Sequence, residues 1–160
     1  MTTILSRSRF EDTSIALSSP ELVRLVTEID DNGTVPQRGL ASALPDLTPH
    51  QIRKATEQAD LLGLLDRCED GLALSTAGRE LADLYDVAAR WARRHDVPDR
   101  TCNFTSRIRH TFTHLTEQAA GDHFSRTASG HGLDRLYQEL ANWVGTHQPR
   151  DLAAPGSTAA

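Results

Sequence analysis

The chain of 160 residues contains one lysine, Lys54, two cysteines and eight aromatic side chains. Each scarcity excludes something. Cys68 and Cys102 have neither the density of a disulfide scaffold nor paired-ligand spacing, so reduced thiols are expected. No apolar run approaches the roughly 20 residues that would span a bilayer. The N-terminus MTTILSRSRFEDTS lacks the apolar stretch of a secretory signal, so no membrane partner and a cytoplasmic location are expected. There is no nucleophile elbow, no phosphate-cradling glycine loop and no Cys/His or Ser/His/Asp grouping in motif context. The expectation is a non-enzyme with no cofactor and no metal. A hydrophobic content of 38% is lean for a chain of 17.6 kDa, which predicts one core, part of whose apolar surface is buried between subunits.

The formal net charge of -5 argues against a chain that meets polyanions with its whole surface. Any nucleic-acid site must be local, and the charges are placed unevenly enough to allow one. From Thr34 to Thr56, Arg38, Arg53 and Lys54 face a single acid, Asp46, and from Arg100 to Thr116 there are three arginines and no acid.

Periodicity divides the chain. Residues 1–18 carry no sustained period and read as a flexible arm. Ser19-Pro20 is an N-cap and N1 pair, after which Leu22, Leu25, Val26 and Ile29 recur at helical spacing until Asn32-Gly33. Pro36 can open a short second helix that ends at Pro45-Asp46. Thr48 then caps a third, with Pro49 at N1 and Gln51 at N3, the Ser/Thr-x-x-Glu/Gln capping box, and Gly63 closes it. Two short runs, LLDRC and LALS, flank Glu69-Asp70-Gly71 and predict a hairpin. Ser75 or Thr76 caps a long amphipathic helix carrying Leu81, Leu84, Tyr85, Ala88 and Trp91. Two further helices follow, around Phe104, Ile108, Phe112 and Leu115 and around Leu133, Leu136, Leu140 and Trp143, separated by a Gly/Ser-rich connector. Residues 148–160 read as a disordered tail.

This order predicts a mainly α fold with a small β-hairpin wing: a winged helix-turn-helix domain over 19–96 and a C-terminal helical extension over 97–147. The segments ALPDLTPHQIRKATEQADLLGLLDR and LSTAGRELADLYDVAARWARRH resemble bacterial winged-helix transcriptional regulators of the HxlR and MarR type. The likeness covers a little over a third of the chain. It departs from the HxlR pattern in lacking an N-terminal cysteine and in having a much shorter wing. The resemblance implies a homodimer that binds double-stranded DNA, with two recognition helices reading half-sites about one turn apart. The alternative is a winged-helix protein-interaction module that does not bind DNA.

A recognition helix enters the major groove N-terminus first, so it needs a firm start, the positive end of its dipole and donors on its first turns. Thr48 supplies the start, and His50, Gln51, Arg53 and Lys54 the donors. Gln51 and Arg53 have the chemistry for base edges, Lys54 and Arg38 for phosphates. Arg67 could reach the backbone from the wing, although Glu69 and Asp70 at its tip repel phosphate. Arg7 and Arg9 on the arm are further candidates for phosphate contact.

In the C-terminal half, His110 and His114 stand at i and i+4 with Arg107 and Glu117 on the same stripe. That spacing can chelate a metal, but the adjacent arginine disfavours a cation. The stripe is expected to be a subunit-facing or solvated polar face, or a site for a small anionic effector on Arg107, His110 and His114. The dimer is expected from Leu81, Leu84, Tyr85, Ala88 and Trp91 together with Leu136, Leu140 and Trp143, on the ground that one core covers only one face of the long helix.

Overall fold

The computed structural model describes residues 7–120 and 130–147. The described chain is seven helices and one hairpin: α1 (Arg7–Leu17), α2 (Pro20–Asn32), a 3-10 turn (Gln37–Gly39) running into the single-turn α3 (Leu40–Ala43), α4 (Pro49–Leu61), β1 (Leu65–Cys68), β2 (Gly71–Leu74), α5 (Thr76–Arg94), α6 (Phe104–Ala120) and α7 (Gly130–Thr146). It is mainly α with a small β wing, as expected. The tail over 148–160, residues 1–6 and residues 121–129 lie outside the described residues, and Gly130–Gly132, expected in the Gly/Ser-rich connector near Ala128 to Gly132, instead begin α7.

The winged unit is α2 to α5. Helix α2 buries Leu22, Val23, Leu25, Val26 and Ile29 against α4, α5 and β2. The hairpin pairs Leu65 with Leu74 and Cys68 with Gly71, so Glu69-Asp70 form its two-residue turn. On β2 the inward residues Leu72 and Leu74 are buried and alternate with half-buried ones, the period of a strand covered on one face. A third segment joins them: Val35 and Leu72 exchange both backbone hydrogen bonds at 2.9 Å, so the loop after α2 contributes one residue of strand to the wing. Gly71 makes this possible. A Cβ there would stand 2.3 Å from the Val35 carbonyl oxygen, and its φ of +133° is one that side chains rarely adopt.

Two expectations are corrected. The N-terminal arm is, over residues 7–17, a packed helix. Phe10, Thr13, Ser14 and Leu17 are buried, Phe10 lies 4.9 Å from the Tyr137 ring, and the buried Tyr85 hydroxyl donates to the Leu17 carbonyl. Four inward side chains in eleven residues suffice once α6 and α7 offer a surface, although the segment shows almost no amphipathic pattern of its own. Arg9 is accordingly half-buried on a helix, and Arg7 pairs with Glu11 at 3.1 Å.

The second correction concerns the dimer surface. Leu81, Leu84, Tyr85, Ala88, Leu136, Leu140 and Trp143 are all buried inside one protomer, and Trp91 is half-buried. Helix α5 is wrapped by α2, α6 and α7 of its own chain. Helix α7 runs antiparallel to it: Gly132 abuts Trp91 at one end, and at the other Trp143 Nε1 donates to the Ala77 carbonyl at 3.0 Å while His147 pairs with Glu80. Helix α6 closes a second side with Ile108, Phe112 and Leu115. The late helices thus complete the core of the winged domain, and the apolar residues that called for a partner find it within the chain.

Candidate functional site

Helix α4 begins as its sequence dictates. Thr48 Oγ1 accepts from the Gln51 backbone N–H at 3.2 Å, and Gln51 Oε1 accepts from the Thr48 N–H at 2.8 Å. Both bonds of the capping box are made, so two otherwise orphaned donors of the first turn are satisfied. Tertiary contacts fix the same end. Arg24 of α2 grips Asp46 with two parallel bonds, Nε to Oδ2 at 2.8 Å and Nη2 to Oδ1 at 2.9 Å. This fork holds the Asp46 carboxyl at about 2, far below its ordinary value, chiefly through the hydrogen bonds from Arg24. Because Asp46 lies two residues before the cap, the start of α4 is tied to α2 rather than left to a loop.

The inward face of α4 is Ile52, Ala55, Thr56 and Ala59, all buried. His50, Arg53 and Lys54 are exposed on its first turns, and Arg53 Nη2 lies 3.2 Å from His50 Nδ1. Arg38, exposed on the 3-10 turn, lines a groove of about 400 Å³ together with Arg53 and Arg67. The groove continues along the wing, where Arg38 and Arg67 border a second hollow. The fold therefore brings Arg38, Arg53 and Arg67 to one surface, with His50 and Lys54 on the adjoining turns.

Gln51 does not join them in the role expected of it. Its carbonyl oxygen is used by the cap, and one N–H of its amide points to Glu21 Oε1 at 3.4 Å, so both ends of the side chain are engaged within the chain. Thr48 is likewise a cap, acting through the position of α4. Arg67 is drawn away from the wing tip by an ion pair with Asp60, the last acid of α4. The exposed face of α4 is thus graded along its length, basic over its first turns and acidic at Glu57 and Asp60. Glu21 lies beside the basic end, its carboxyl held below the ordinary range first by a backbone hydrogen bond and in part by Lys54.

Two members of the C-terminal stripe are engaged within the chain. Arg107 Nη2 donates to the Arg100 carbonyl at 3.2 Å, and His114 pairs with Glu117 at 3.6 Å and meets the Trp91 ring edge-on at 6.3 Å. His110 is half-buried. Among the described residues no three His, Cys, Asp or Glu side chains are grouped to hold a metal ion, and no helix is long and apolar enough to cross a membrane.

Nothing in the local sequence signals the Arg24–Asp46 fork or the Arg67–Asp60 pair. Each joins residues that meet only after α2, α4 and the wing have packed. No protein-family model, curated protein or solved structure matches the chain.

Proposed function

We propose that this chain is a cytoplasmic, non-enzymatic DNA-binding regulator that presents the first turns of α4 to the major groove. The observation that carries the reading is the doubly anchored start of α4, with Arg53, Lys54 and His50 exposed on it and Arg38 beside it. A helix N-terminus with its donors satisfied by a cap, its dipole positive and cations on its first turns matches the phosphate and base-edge chemistry of duplex DNA. The acids at Glu57 and Asp60 restrict the approach to the N-terminal end, since the far end would be repelled by the backbone. In this role Arg53 is the base-edge residue, Arg38 and Lys54 are phosphate contacts, and Thr48, Gln51, Arg24 and Asp46 position the helix. Every one of these residues comes from one protomer.

The second reading, a winged-helix protein-interaction module, is favoured by the exposed acids Glu57, Asp60, Glu69 and Asp70 that border the same surface. Affinity for nonspecific duplex DNA measured across salt concentrations separates the two. A DNA-binding chain gives a linear fall of log affinity with log salt, and Lys54→Ala reduces its slope by about one contact. Absence of binding at low salt rejects the DNA reading.

A further inference from the structure

Helices α5 and α7 leave an open groove of about 390 Å³ between them on a face that shares no residue with the α4 surface. Its apolar floor is Leu84, Val87 and Trp143. Val87 is 37% exposed, one of the few large apolar side chains of the described chain left in solvent. Its rim is acidic on both sides: Glu80 and Asp83 on α5, Glu139 on α7. Glu80 is partnered by His147 and Glu139 by Arg135, while among the described residues no ion pair engages Asp83. Negative charge extends beyond the rim: burial first, and then Asp31 and Asp83, raise the carboxyls of Asp30 and Asp86, with Arg90 beside Asp86 acting in the opposite sense.

We infer that this groove is a docking site for a cationic amphipathic helix of a partner protein. The length of the groove and its charge select that occupant. Along α5 the groove runs from Glu80 to Val87, and along the antiparallel α7 from Glu139 to Thr146, which is two helical turns or about 10 Å on each wall. A short helix laid between them would seat one apolar stripe on Val87 and Trp143 and set its flanking lysines or arginines against Asp83 and Glu139, the helix-in-groove mode of recognition. Charge complementarity excludes the other candidates: a nucleic acid is repelled, and a second copy meeting the same patch across a two-fold would set acid against acid. The inference stands apart from the DNA reading, because neither surface uses the other's residues.

The test uses the full-length protein and a fluorescein-labelled peptide of about four turns, with leucines on one helical face and lysines on the other. A scrambled peptide of the same composition, with no apolar face, is the control. Anisotropy should report binding of the patterned peptide at least about tenfold tighter than the scrambled one, since only the first can bury apolar area. Asp83→Asn with Glu139→Gln should weaken it about fivefold, and Val87→Asp should abolish the difference between the peptides. All three positions are at the surface or partly exposed, and an unchanged thermal melt verifies the fold of each variant. Equal binding of both peptides, no binding of either, or variants that bind like the parent would overturn the proposal. So would sedimentation as a dimer that Val87→Asp dissociates, since the groove would then hold a second copy. Arg53→Ala should leave peptide binding unchanged, which keeps this result independent of the DNA result.

Discussion

The first turns of α4 and the α5–α7 groove are both helical surfaces of one small protein, yet they are made differently and carry opposite charge. The α4 end is assembled from neighbours in sequence, a cap closed between Thr48 and Gln51, with one long-range fork from Arg24 to hold it. The groove exists only because α7 returns antiparallel along α5 and joins residues 67 positions apart at Glu80 and His147. The net charge of -5 is therefore an average over a locally basic surface and a strongly acidic one. Local sign decides what each surface can meet, and the overall sum mainly sets solubility and long-range repulsion.

Five substitutions test how far the two surfaces are separate. The largest effect should come from the core they share. Phe112 is 1% exposed on α6, with its ring 5.9 Å from that of Tyr85. Phe112→Ala should cost about 3–5 kcal/mol in denaturant unfolding and abolish both proposed binding activities together, because α5 is common to the winged unit and the groove. A variant that loses peptide binding but keeps DNA binding and the parent's unfolding midpoint would mean that the late helices form an independent unit.

Next in size is Arg53→Ala, which should weaken specific duplex binding by about 1–3 kcal/mol and relax preference at one base position. Gln51→Ala should act differently. It removes the reciprocal half of the capping box, so it should lower thermal stability and affinity for all sequences alike, with the base preference in a binding-site selection unchanged.

Asp60→Asn should strengthen DNA binding by less than about 1 kcal/mol, because it releases Arg67 from its ion pair and removes an acid from the α4 face. Titration of the variant with duplex at fixed salt checks the sign. Weaker binding would mean that the pair is needed to hold the wing in place.

The smallest effect belongs to the acidic face. The carboxyls of Asp86 and Asp30 sit above the ordinary range, first through partial burial and then through neighbouring aspartates. A raised folded-state value means that protonation favours the folded state. The gain is complete below the ordinary value of 3.8 and is lost as pH rises through the raised value, leaving the cost of partial burial and then the repulsion at neutral pH. Asp86→Asn should therefore raise stability at neutral pH by only a few tenths of a kcal/mol, since the group is exposed. Melts of parent and variant should converge as the pH is brought below about 3.8.

Much of α4 could be read directly. Its cap, its Pro49 start, its Gly63 stop and its exposed cations are short-range features, set by bonds between residues three or four apart. The hairpin was legible for the same reason, from two apolar runs around a turn dipeptide. Helix α1 was not, because its four inward residues follow no clean period and are chosen by the surface that α6 and α7 present. Leu81, Leu84, Leu140 and Trp143 were recognisable as surfaces that must be covered, but hydrophobic pattern does not say what covers them, and here it is the same chain. Gln51 illustrates the same limit at one side chain: its amide can serve a cap or a base edge, and the capping box together with Glu21 decided for the cap. What the sequence by itself determined was where helices start and stop and which faces are apolar, because those follow from hydrogen bonds and periodicity along a few turns. Only the tertiary structure decided which apolar faces pair, where Arg24 and Arg67 find their acids, and that an acidic groove opens between α5 and α7, because each depends on contacts between segments far apart in the chain.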